Sequence, residues 1–333
     1  MESAGQPGVS YSSPFKDRST GLLVFGIFEI LGGAICALLI PLLFFGQAMS
    51  ARMTSSPVQY RFVLAPAAAY GLIAAMLLTV GIGSIRARRW ARAFCLILGW
   101  SWLVMGSLAV IIDAFVIPRA LSQGPGAPNL NASARLIITL FVIAFMVVLF
   151  VLIPLALVLF YRRQDVRSTC EARDPGLHWT DRCPLPVLGL SMWLVFAGAF
   201  LVLMPAAYHG VAPFFGTLIS GIPGSLFYLC IAAMFFYLAR ALYRLEPASW
   251  WLTLVLMLLF GLSNTLTLAH VDLWEMYRQM GYPEAQIKQL QSYNIFDNNV
   301  MVAFSALGFL PPLAYLLYLR RFFHQPTLHP GRD

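Results

Sequence analysis

An all-α polytopic membrane fold, with about eight crossings arranged as two tandem four-helix units, is predicted by three observations. Of 333 residues, 59% are apolar and only 11% are charged, whereas a water-soluble domain carries about 45–50% and about 25% respectively. Apolar runs of about 20 residues, the length that satisfies every backbone group inside a bilayer, recur along the whole chain. The ten residues 154–163, PLALVLFYRR, also return without a gap as residues 312–321, PLAYLLYLRR.

The elements follow in order. A polar tail, residues 1–20, precedes the first run; at about 25 residues this run exceeds the roughly 7–15 apolar residues of a signal-peptide core, so helix one is expected to be retained. The predicted spans are 21–45, 67–85, 90–117 and 136–161 in the first unit. Those of the second are 185–208, 223–242, 250–269 and 300–319. The units are taken as residues 21–163 and 185–321, with a polar linker at 164–184 and a tail at 322–333.

The correspondence extends past the ten-residue match. Gly26 and Gly189 begin similar runs that reach Pro41 and Pro205, Pro66 and Pro223 open the second helix of each unit, and Trp90 and Trp250 open the third. An even number of spans per unit returns each half to its starting side, which implies a parallel repeat about an axis along the membrane normal.

The net charge of +8 would suit nucleic-acid binding only if the basic residues gathered on one soluble face. They are divided among short connections instead, and no nucleic-acid partner is expected. With the N-terminus in the cytoplasm, only Arg52, Arg61, Arg119, Arg135, Arg278 and Lys288 of the 22 lysines and arginines lie outside. That positive-inside bias places both termini in the cytoplasm. Of five cysteines, Cys36, Cys95 and Cys230 fall within spans; Cys170 and Cys183 fall in the linker, where a reducing compartment disfavours a disulfide.

Two outer segments look irregular. Residues 206–224 carry Gly and Pro among Phe214, Phe215, Leu218 and Ile219 without a formal charge, so the stretch either lies flat at the interface or dips into the bilayer. Residues 270–299 are polar, and 283–290 are expected to form a short helix opened by Pro283 and Glu284. Within the spans, Pro154, Pro311 and Pro312 are expected to bend helices four and eight.

Candidate polar sites are few. Glu29 lies inside helix one within GIFEILGG, where a charged group is costly and needs a partner. It is either a proton or cation site, with Gly32 and Gly33 admitting a neighbouring helix, or a protonated, hydrogen-bonded tie between helices. Asp113 and Asn264, with His270 and Asp272, lie toward the outer ends of helices three and seven. They either share a vestibule or wet the helix ends. A permease requires Glu29, Asp113 and Asn264 to converge on a wet cavity; a dry helix contact at Glu29 counts against one.

In the linker, Cys170, His178 and Cys183 are of metal-binding type, but the spacing is loose and a fourth ligand is not evident, so neither a metal nor a cofactor is expected. Arg86, Arg88, Arg89 and Trp90, together with Arg162, Arg163, Arg320 and Arg321, are expected to anchor at lipid headgroups. No phosphate loop, HExxH pair or GxSxG elbow occurs in the sequence.

The stretches VRSTCEARDPGLHWTDRCPLPVLGL, residues 166–190, and MYRQMGYPEAQIKQL, residues 276–290, resemble uncharacterised bacterial multi-pass inner-membrane proteins. The resemblance implies a bacterial inner membrane and supplies no activity. The expected function is therefore a non-enzymatic accessory or scaffold protein that packs against lipids or other membrane proteins. The alternative is a secondary transporter or small-solute permease that uses Glu29.

Overall fold

The computed structural model describes residues 16–53, 60–123, 131–292 and 298–323. Most of the predicted tails, residues 1–15 and 324–333, lie outside the described residues. Among the described residues the chain is helical apart from one small hairpin and short connections, and eight helical segments are long and apolar enough to cross a membrane.

Helix α1 (Ser19–Met53) runs against α2 (Arg61–Ile85), and both reach several residues beyond the predicted spans. At 35 residues α1 measures about 52 Å, so it must tilt in, or project from, a hydrocarbon core about 30 Å thick. The two backbones meet at Gly26 and Gly81. A Cβ on Gly81 would lie 2.7 Å from the carbonyl oxygen of Gly26, so only glycine fits. Helix α3 (Arg89–Gln123) is also 35 residues long.

The fourth crossing, expected to bend at Pro154, stays helical and changes its hydrogen-bonding pattern just before that proline. Helix α4 (Ala132–Val147), capped by Asn131 through a 2.7 Å bond from the Ala134 N–H, gives way to a π-helical turn at Val148–Leu152 and then to α5 (Ile153–Tyr161). Pro154 lacks the N–H that would bond to Phe150. That carbonyl instead faces Gly106 of α3, where an added Cβ would lie only 2.5 Å away.

The linker is more ordered than a polar loop. It contains α6 (Gln164–Arg173) and a 3-10 turn at Trp179–Asp181. Val166, Thr169 and Cys170 form the buried face of α6 at helical spacing.

In the second half, α7 (Leu185–Tyr208) packs along α8 (Gly221–Tyr243), and α9 (Pro247–His270) packs against α12 (Asn298–Gly308) and α13 (Leu310–Leu319). The last crossing is interrupted just before Pro311 and Pro312. Between α7 and α8, the stretch expected to be irregular holds an antiparallel hairpin, β1 (Ala212–Phe214) paired with β2 (Thr217–Ile219). Its two-residue turn puts Phe215 at φ 42° and Gly216 at φ 91°, both left-handed, as a tight hairpin turn requires. Beyond α9 come α10 (Leu273–Gln279), begun by Asp272, and α11 (Glu284–Ser292), close to the expected outer helix.

The turns after α2 and α8 share one set of hydrogen bonds. Arg86, Ala87 and Arg88 donate from their backbones to Ile82, Ser84 and Gly83; Arg244, Leu245 and Glu246 donate to Arg240, Leu242 and Ala241. Ala87 (φ 52°) and Leu245 (φ 58°) hold the same left-handed position. All six residue pairs are separated by 158 positions, the separation of Pro154 and Pro312.

Three buried clusters hold the bundle. The first joins Leu22, Val80, Cys95, Leu157 and Tyr161 to Val166 and Cys170 of α6; the second joins Ile97 of α3 to Val187, Leu242, Trp250 and Leu316; the third lies around Ala65, Met204 and Tyr228 near the hairpin. Large apolar side chains such as Leu38 (69% exposed) and Phe141 (72%) point outward, as a chain solvated by lipid requires.

Candidate functional site: a carboxyl group closed between three helices

Glu29 is 5% exposed. It lies ten residues into α1, about 15 Å along the helix axis. Its Oε1 accepts from Cys95 Sγ of α3 at 3.1 Å and from the Tyr161 hydroxyl of α5 at 3.2 Å. The Tyr161 hydroxyl also meets Ser84 of α2, whose own hydroxyl reaches the Leu22 carbonyl at 3.4 Å. The carboxyl group of α1 is thus tied directly to α3 and α5, and through Tyr161 to α2. Phe25, stacked on Phe160 with centroids 4.4 Å apart, packs beside Tyr161 on the same side. Glu29 Oε2 has no hydrogen-bond partner among the described residues.

The three expected intramembrane residues go to different places. Asn264 donates to Ser305 of α12 at 2.9 Å, and Thr265 shares that hydroxyl at 3.2 Å. This is a clasp between α9 and α12, made by helices that do not contribute to the Glu29 cluster. Asp113 is half-buried on α3. The residues that complete the Glu29 cluster, Cys95, Tyr161 and Ser84, were not singled out by sequence.

The arginines at the linker end also separate. Arg88 pairs with Asp174 at 3.4 Å, and Arg89 pairs with Glu171 at 3.8 Å and Asp181 at 3.5 Å, so both hold the linker against α3. Asp174 further accepts from the Arg89 backbone N–H at 3.2 Å and meets His178 Nε2 at 2.8 Å. Burial works to raise the Asp174 carboxyl, but the Arg89 N–H, His178 and the Arg88 charge outweigh it and hold it below its ordinary value. Arg18 adds a 3.3 Å pair to Asp165.

Arg320 stands 5.8 Å from the ring centres of both Trp250 and Trp251, and Arg321 stands over Tyr318 at 4.0 Å. Arg86, Arg162 and Arg163 are exposed. Trp90 packs edge-on against Phe94 rather than standing alone.

Chemically, the linker holds a histidine–aspartate pair with two cysteines nearby in sequence. Burial pushes the Cys170 and Cys183 thiols up to about 11, so neither is a thiolate at neutral pH. No group of three or more His, Cys, Asp or Glu side chains gathers as a metal site among the described residues.

At the end opposite the linker, the hairpin is tied to α9. Ser263 Oγ accepts from the Phe215 N–H at 3.0 Å, and Thr267 Oγ1 accepts from the Gly216 N–H at 3.1 Å. Arg61 meets His209 and donates to the Gly281 carbonyl at 2.8 Å, while Phe62 stacks on Tyr282 at 4.2 Å. The hairpin and the turn at Gly281 and Tyr282 therefore cap that end of the bundle. No known protein family, curated protein or solved structure matches the chain.

Proposed function

We propose that this protein is a non-enzymatic accessory or scaffold component of a bacterial inner membrane that binds lipids and neighbouring membrane proteins through its lateral faces. The observation that carries the proposal is the closure of Glu29 between α1, α3 and α5. A permease needs polar groups converging on a wet path, and here Glu29 and Asn264 are spent on separate helix contacts. Two grooves lie between neighbouring helices. One lies between α8 and α9, and the other between α1 and α2, lined by Leu39, Leu42, Phe62 and Tyr70 among others.

The same proposal includes two tandem four-helix units with cytoplasmic termini. Its support is the pair of identical turns at a separation of 158 residues and the proline-linked interruption of the fourth helix in each half. The arginine bias supplies the orientation. The bacterial setting rests on residues 166–190 and 276–290.

One observation favours the permease alternative, the buried Oε2 of Glu29 without a partner among the described residues. Proteoliposomes loaded with a pH-sensitive dye test the choice. The scaffold proposal expects proton flux equal to that of empty liposomes, before and after Glu29→Gln. A flux that appears with the wild type and vanishes in Glu29→Gln would overturn it.

A further inference from the structure

The turns after α2 and α8 share their hydrogen bonds at a separation of 158 residues, so in that register the start of α3 corresponds to the start of α9. The two places are filled differently. In the first half the Trp90 ring lies against α2: a Cβ on Gly83 would be 2.8 Å from its Cη2 and Cζ2 atoms, and Phe94 packs on the ring edge-on at 5.9 Å. The residues 158 positions after Gly83, Trp90 and Phe94 are Ala241, Ala248 and Leu252. An alanine therefore stands where the first half has an indole.

Those three alanine and leucine side chains are walls of the groove between α8 and α9, whose volume of about 480 Å³ is within the roughly 300–1,000 Å³ of small-molecule sites. The groove is the space that the Trp90 ring fills in the first half, left open in the second. Tyr237 and Trp251, also walls, put aromatic rings where the first half has Thr79 and Ala93.

The charge at the end of the groove is reversed as well. Arg88, paired with Asp174 at 3.4 Å, corresponds to Glu246 at the turn between α8 and α9. The Glu246 side chain does not cap α9, and its half-buried carboxylate has no hydrogen bond or ion pair among the described residues. It is the only formal charge among the groove walls; Arg320, 5.8 Å from the Trp251 ring centre, is not one of them.

We infer that the α8–α9 groove binds a small aromatic amine, a flat ring system of about indole size that carries an ammonium group. The ring takes the place between Ala241, Ala248 and Leu252, beside the aromatic surfaces of Tyr237 and Trp251. The ammonium meets Glu246. Ring and charge together select this occupant, since an aromatic acid is repelled by Glu246 and an aliphatic amine leaves the slot poorly packed.

Equilibrium dialysis of the full-length protein in an uncharged detergent, with uptake by empty micelles subtracted, tests it. Three probes separate ring from charge: tryptamine, indole-3-propionate with the same ring and the opposite charge, and hexylamine without a ring. One tryptamine per chain is expected to bind, about tenfold more tightly than either other probe, the worth of one charge-assisted hydrogen bond. Glu246→Gln should level tryptamine with indole-3-propionate. Because Ala241 has the Cβ that Gly83 lacks, Ala241→Gly combined with Ala248→Trp rebuilds the arrangement of the first half. That double variant should lose tryptamine while keeping or raising the SDS unfolding midpoint.

Equal binding of the three probes by the wild type, or a preference for tryptamine that persists in Glu246→Gln, overturns the inference. Tryptamine binding that survives in the double variant, or a lowered midpoint there, overturns it too. None of these outcomes bears on proton flux through Glu29, so the scaffold proposal stands or falls separately.

Discussion

Replacing Glu29 separates a structural tie from a working site because its two possible roles respond oppositely to a neutral isostere. Oε1 accepts from Cys95 at 3.1 Å and from Tyr161 at 3.2 Å. Interhelical hydrogen bonds in membranes average about 0.6 kcal/mol and reach about 1.7. Glu29→Gln keeps an acceptor oxygen and nearly the same volume, so its cost should stay below about 1 kcal/mol. Glu29→Met keeps the length but removes both contacts, and should cost about 1–2 kcal/mol.

Because Tyr161 retains Ser84, part of the loss is recovered, which sets the upper bound. A double-mutant cycle with Tyr161→Phe should give a coupling of about 0.6–1.7 kcal/mol between the two positions. Unfolding in mixed micelles, titrated with SDS and followed by circular dichroism, supplies the four stabilities. Additive effects at the two positions, or a Gln variant as unstable as the Met variant, would refute the reasoning.

Further outcomes follow from the same contacts. Asp174→Asn should cost about 1–3 kcal/mol, since it weakens bonds to Arg88, Arg89 and His178, and limited proteolysis should cut the linker faster. The Asp174 carboxyl is held below its ordinary value, so its contribution is fully present above that value and is lost as pH falls through the folded one. Linker proteolysis should therefore be constant through neutral pH and accelerate only below about pH 4. Gly81→Val should force α1 from α2 at a cost of about 1–3 kcal/mol, read as a lowered unfolding midpoint in the same micelles. Cys170, buried and with its thiol pushed up to about 11, should react with maleimide at pH 7 far more slowly than the denatured chain.

The crossings were legible because lipid imposes a length and a composition that local sequence must meet. Pro154, and Pro311 with Pro312, mark where the fourth and eighth crossings depart from regular α-helix, for an equally local reason, the missing N–H. Helix α6 was missed although its signals were present. Val166, Thr169 and Cys170 lie at helical spacing, and Arg167 pairs with Glu171 at 2.8 Å, but the polarity of the stretch masked them.

The hairpin was visible only as an uncharged Gly/Pro stretch. Its geometry depends on Ser263 and Thr267, some 50 residues away. Glu29 was conspicuous, yet Cys95 and Tyr161 lie 66 and 132 residues further on. No local pattern pairs residues at such distance, and neither side chain is unusual in an apolar helix.

Solvent access to Cys95 tests the central claim most directly, because its sulfur touches Glu29 and is 3% exposed. A variant retaining Cys95 as its single cysteine would be treated in sealed membrane vesicles of both orientations with a small, water-soluble, membrane-impermeant thiol reagent. A closed tie between helices predicts no modification from either side until SDS unfolds the chain. Modification of the folded protein from either face would place water beside Glu29 and contradict the account.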